Sequence, residues 1–147
     1  MTEIQALLLI KSILESADIH GIESFLAEDC EYMSTGRGII GRNRNETIEF
    51  LSSMAESIKA DNVPVTCKVM HITDVYEEDA LFHEGRHGLT VSYESSDNYV
   101  YMIFVDVNDE GLVDRIVSSQ ENYSIEYVDL RFGADESEYA FITPPTT

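Results

Sequence analysis

His83, Glu84 and His87 stand at the H-E-x-x-H spacing within FHEGRHG, residues 82–88. On a helix, residues four apart share a face, so two imidazoles can hold one zinc ion while the glutamate activates water. Upstream, GRGIIG at residues 36–41 has the G-x-G-x-x-G spacing that seats a pyrophosphate on a helix N-terminus. His71, Tyr32, Tyr99 and Tyr101 are further side chains able to move a proton or line a pocket, and Arg37, Arg42 and Arg44 could meet an anion. What any of these can do depends on the element that carries it.

The hydrophobic pattern separates two halves. Thr2 and Gln5 have the spacing of a capping box ahead of Ile4, Leu7, Leu8 and Leu14, and Leu9, Ile10 and Ile13 make the helix apolar on most sides. Asp18 reads as the N-cap of a second helix burying Ile22, Phe25 and Leu26, followed by a short extended piece, CEYMS. Asn43 and Glu46 read as the cap and third residue of a third helix carrying Ile48, Leu51, Met54, Ala55 and Ile58, which stops before Pro64. From Val65 the period becomes two, and four runs over 65–77, 79–94, 99–107 and 112–127 are separated by the turns EED, SSDN and NDEG. Helices followed by a meander predict an α+β domain over 1–130, three N-terminal helices on a strongly curved, mainly antiparallel sheet, with an acidic tail at 131–147.

This frame decides both motifs. The glycine fingerprint requires a βαβ alternation that the chain lacks, so Gly36, Gly38 and Gly41 are read as turn glycines around a short strand. A helix through FHEGRHG would carry Gly85 and Gly88 in or just after it, each costing about 1 kcal/mol relative to alanine, and LTVSY follows at once. In a strand, His83 and His87 share a face but lie ~13 Å apart, four rises of about 3.3 Å. Zinc bonds of about 2.1 Å cannot span that gap. No metal and no cofactor are expected. Pairing around Glu78 instead sets His71 opposite Gly85, with His83 and His87 diagonal to it on the same face, about 7 Å away. The three histidines then form one patch; a one-residue slip moves His71 to the other face and leaves three unrelated side chains.

Composition narrows the partners. The 147 residues carry 28 acidic and 9 basic side chains, a net charge of −19, which repels nucleic acid and anionic membranes. Cys30 and Cys67 read as two free thiols packed as small hydrophobes, and the N-terminal apolar run has neither a basic region before it nor a small-residue cleavage site after it. A cytoplasmic protein is expected.

DIHGIESFLAEDCEY, IIGRNRNETIEFL and YVYMIFVDVNDEGLVDRIV together resemble the nuclear transport factor 2-like superfamily, which includes ketosteroid isomerases and SnoaL-like cyclases. The resemblance implies a cone-shaped (cystatin-like) α+β barrel with a ligand cavity between helices and sheet. It also implies a homodimer formed through the outer sheet face, where Val100, Met102 and Phe104 need covering. The isomerase's base, tyrosine and strand aspartate would fall at Ser34, Ile10 and Ile103, so that acid–base set is missing. Three readings follow. The preferred one is a non-catalytic module for an anionic or aromatic small molecule, with Tyr32, Arg37, His71, His83, His87, Tyr99 and Tyr101 as the binding residues. The alternative is a cofactor-independent isomerase, cyclase or lyase using His71, His83 or His87. The third is a protein-binding module using the outer sheet face.

Overall fold

A computed structural model describes residues 1–17, 19, 21–62, 64–75, 85–93, 101–119 and 130–132, excepting the side chains of 70–75, 93, 101 and 130–132. Helix α1 spans Glu3–Ser16. Thr2 opens it with a full capping box: the Gln5 amide donates to Thr2 Oγ1 at 3.2 Å and the Thr2 amide to Gln5 Oε1 at 2.9 Å. It stops at Ala17, whose φ of 55° is left-handed. Ala6, Leu7, Ile10, Ile13 and Leu14 form its buried stripe, while Leu8 and Leu9 are only partly covered. Helix α2 spans Arg44–Asp61, capped by Asn43, which accepts from the Glu46 amide at 2.9 Å.

The second helix expected from the sequence is a correction. After Gly21, at φ 77°, the chain makes a single 3-10 turn, Glu23–Phe25, and then strand β1, Leu26–Ser34. Leu26 and Ala27 are both buried, and two adjacent apolar residues mimic a helix face. From Cys30 onward the burial alternates through Tyr32 and Ser34, the period of a half-covered strand. There are thus two α-helices among the described residues, where three were expected.

The remaining strands are β2 (Gly38–Gly41), β3 (Val65–Val75), β4 (His87–Tyr93), β5 (Tyr101–Val107), β6 (Val113–Ser118) and β7 (Leu130–Phe132). They form a curved, mixed sheet in the order β2-β1-β6-β5-β4-β3, with β7 added beyond β3. The meander β3–β4–β5–β6 is antiparallel throughout, whereas β1 runs parallel to β6. At the turn into β6, Asn108 Oδ1 accepts from the amides of Glu110 and Leu112, both at 3.0 Å, and Gly111 takes φ 79°.

Both helices lie on one face of the sheet. α1 packs on β3, β4 and β5, and α2 on β1 and β2. The core between them joins Leu7, Ile10, Leu14, Leu51, Val69, Leu89, Ile103 and Ile116. Polar bonds fix α1 along β3: Lys11 Nζ donates to the Cys67 carbonyl at 2.9 Å and the Cys67 amide to Glu15 Oε2 at 2.9 Å. The opposite face carries Met102, Phe104 and Val117, which are 2%, 0% and 1% exposed within one chain. Of the strip expected to need a second copy, Met102 and Phe104 are thus buried within one chain, and Val100 lies outside the described residues.

Candidate ligand-binding site

Among the described residues, the helix-facing side of the sheet is polar at the ends of β1 and β6 and at His87, which faces α1. Parallel pairing sets Ser34 beside Ser118 and Tyr32 beside Ile116, so Tyr32, Ser34 and Ser118 point to the same side. All three are buried, at 1%, 1% and 3% exposure. The Tyr32 ring packs on Phe50 of α2 with centroids 4.5 Å apart, and its hydroxyl donates to Met54 Sδ at 3.7 Å. Burial pushes the Tyr32 phenol up to about 12, against a hydrogen bond with Ser118 that lowers it, so it stays neutral at physiological pH. Among the described residues Ser34 Oγ has no hydrogen-bond partner, and neither has Ser119 Oγ just beyond β6.

Neighbouring polar groups are spoken for. Thr47 Oγ1 donates to the Cys30 carbonyl at 2.9 Å. Cys30 and Cys67 are both buried free thiols, and burial raises Cys30 to about 12. This removes Cys30 as a nucleophile at neutral pH. Gly41 permits the close approach of α2, because a Cβ there would lie 2.9 Å from Thr47 Oγ1 and 3.0 Å from the Thr47 amide nitrogen.

The histidines sit elsewhere. β3 and β4 pair with His71 directly opposite His87, so the register differs by two residues from the expected His71–Gly85 pairing. A slip of two is even and leaves the pairing face of a strand unchanged. His87 Nδ1 lies 2.8 Å from Glu3 Oε1, and the His87 amide donates to the same oxygen at 3.0 Å. From Tyr32 to His87 the sheet crosses three strand spacings, roughly 14 Å, so the described residues do not join them into one site. Gly85 has φ 87°, which interrupts any helix through H-E-x-x-H. His83 and Tyr99 lie outside the described residues, as does the side chain of Tyr101.

Nor do the arginines converge. Arg37 is exposed in the turn after β1, while Arg42 and Arg44 lie beyond the far end of β2. Arg44 lines a shallow surface depression with Glu28, Asn43 and Asn45. On the opposite sheet face Arg86 is 8% exposed, its guanidinium 5.1 Å from the Phe104 centroid and 3.2 Å from Asp106 Oδ1. Gly88 leaves room for this packing, since a Cβ there would lie 2.8 Å from both Met102 Cε and Phe104 Cε1. Sequence reasoning missed Ser118, Glu3 and Thr47. Ser118 was legible in principle, because the alternation of β6 puts it on the face of Ile116.

No group of three or more metal-ligating side chains occurs among the described residues, and no helix among them is long and apolar enough to cross a membrane. No family model matches the chain, and no curated protein matches it in sequence. Solved structures do match. A nuclear transport factor 2-like protein of unknown function from Mesorhizobium loti superposes with a TM-score of 0.52 at 12% identity, over 80% of this chain and 91% of that one. A SnoaL-like protein of unknown function from Burkholderia thailandensis gives 0.51 at 8% identity, over 90% and 94%. The epoxide hydrolase/cyclase-like enzyme SalBIII, which has a role in pyran ring formation in salinomycin, gives 0.51 at 11% identity, over 87% and 94%. The chain thus shares the α+β fold of these nuclear transport factor 2-like and SnoaL-like proteins.

Proposed function

We propose that the domain binds a small molecule between its helices and its sheet without transforming it. The observation that carries this reading is the chemistry of the inner face. The positions matching the isomerase acid–base set hold Ile10, Ser34 and Ile103, and both isoleucines are closed into the core at 2% and 0% exposure. Around Tyr32 the described groups are hydroxyls, a thioether and hydrocarbon, none of which exchanges a proton near neutral pH. The test is a panel of small aromatic and alicyclic compounds offered to the full chain, with binding read by calorimetry and conversion by mass spectrometry. Binding without conversion supports the reading; conversion that is lost in His87→Asn overturns it.

A second reading has one observation in its favour. A carboxylate holding Nδ1 of His87 is the arrangement that orients an imidazole as a base. The cofactor-independent isomerase, cyclase or lyase alternative therefore rests on the Glu3–His87 pair, with SalBIII as a fold precedent. As for assembly, we propose self-association through the β1–β2 end of the outer face. There Ile39 is 42% exposed, the one exposed large hydrophobic among the described residues, beside half-buried Met33. Light scattering of Ile39→Lys tests this: an unchanged mass excludes that interface.

A further inference from the structure

We infer that Tyr32, Ser34 and Ser118 form the polar anchor of the ligand site and that they take an uncharged carbonyl oxygen on an otherwise apolar molecule. The inference rests on the binding reading above and adds where the ligand is held and what class it belongs to.

Buried hydroxyls in folded proteins almost always have a partner, and one left without costs the desolvation of its dipole. Ser34 Oγ has none among the described residues. Its neighbour Tyr32 is hydrogen-bonded to Ser118, and its own proton goes to Met54 Sδ at 3.7 Å, a weak acceptor at long range. Both lie on the same side of β1, and the pairing of β1 with β6 adds Ser118 alongside Ser34. The cluster thus holds two donors on one face, Ser34 Oγ and the Tyr32 hydroxyl, that lack a strong acceptor. A carbonyl oxygen supplies it, with two lone pairs to receive them.

The surroundings select against charge. Phe50 stacks on Tyr32, Met54 caps its hydroxyl, and Ile116 and Ile103 pair with Tyr32 and Ser118 in the sheet. A carboxylate placed there would be desolvated with hydroxyls for company, whereas a ketone or ester loses little on leaving water. Ser34 and Ser118 are the last residues of their strands, and the exposed turn at residues 35–37 follows immediately. The cluster therefore borders the end of the sheet, where a ligand can enter without parting the core between α1 and β5.

Three probes of one size test this on the full chain: 2-acetylnaphthalene, 2-naphthoate and naphthalene, titrated by calorimetry. The ketone is expected to bind about tenfold tighter than either of the others. Ser34→Ala should erase that preference while leaving naphthalene binding and the melting temperature in place. Tyr32→Phe, which keeps the ring against Phe50, should do the same. Equal binding of all three, tighter binding of the naphthoate, or a Ser34→Ala protein that keeps its ketone preference overturns the anchor and leaves the binding function standing. Failure of every probe to bind at millimolar concentration overturns the binding function along with it.

Discussion

The two faces of the sheet handle buried polarity in opposite ways. On the outer face, Arg86 enters an apolar layer, but its guanidinium rides 5.1 Å above the Phe104 ring and reaches Asp106 and the Val105 carbonyl. On the inner face, Ser34 enters an apolar layer and its hydroxyl has no hydrogen-bond partner among the described residues. The first is a polar group enlisted to close a layer, and its role ends with the fold. The second leaves a cost that folding does not recover, the kind of local inconsistency that proteins retain at sites serving something else.

The outer face should be the more fragile. Phe104 is fully buried and supports both Arg86 and the close approach of Gly88. Phe104→Ala is expected to cost about 3–5 kcal/mol by denaturant unfolding, with Arg86 left over a cavity. Gly88→Ala attacks the same layer by overfilling it and should cost about 1–3 kcal/mol. If both are silent, the layer is not tightly closed and the contrast between the faces disappears.

Smaller, but more pointed, is the comparison of two inner hydroxyls. Thr47 and Ser34 are both buried, yet Thr47 Oγ1 donates to the Cys30 carbonyl at 2.9 Å and Ser34 Oγ has no partner among the described residues. Thr47→Val strands that carbonyl and should lose about 1–3 kcal/mol. Ser34→Ala removes a group that gains nothing from the fold, so its stability should stay within about 0.5 kcal/mol of the parent or rise. A large loss in Ser34→Ala would mean that the hydroxyl is structural, and the two faces would then follow one rule.

Local signals were legible in the sequence and non-local ones were not. The caps of α1 and α2 follow from Thr2, Gln5, Asn43 and Glu46, whose partners lie three residues away. The meander follows from alternation and turn residues such as Asn108 and Gly111, again within a few positions. CEYMS was read as extended, as it is. The first half of β1 was misread because its strand character depends on β6, more than eighty residues on, while Leu26 and Ala27 locally resemble a helix face. The β3–β4 register came out two residues away from the reading because turn length, not strand composition, sets it. The burial of Met102 and Phe104 could not be read either, since strand alternation says which side a residue takes and not what covers it.

The mildest prediction probes the electrostatics of β6 beside the outer face. Burial first, and then the nearby Asp106, raise the Asp114 carboxyl above its ordinary value of 3.8. A carboxyl raised on folding binds its proton more tightly in the folded chain than in the unfolded one. Below the ordinary value it is protonated in both states and costs nothing. As the pH climbs through the raised value the folded state must ionise it against burial and Asp106, and stability is lost. Asp114→Asn has no such ionisation. Its melting temperature should exceed the parent's at pH 7, with the gap closing as the pH falls towards 4. Asp106→Asn would blur the result, because it also takes from Arg86 the carboxylate 3.2 Å from its guanidinium. A gap constant with pH would trace the gain to amide packing at Asp114 and leave its ionisation without influence on the fold.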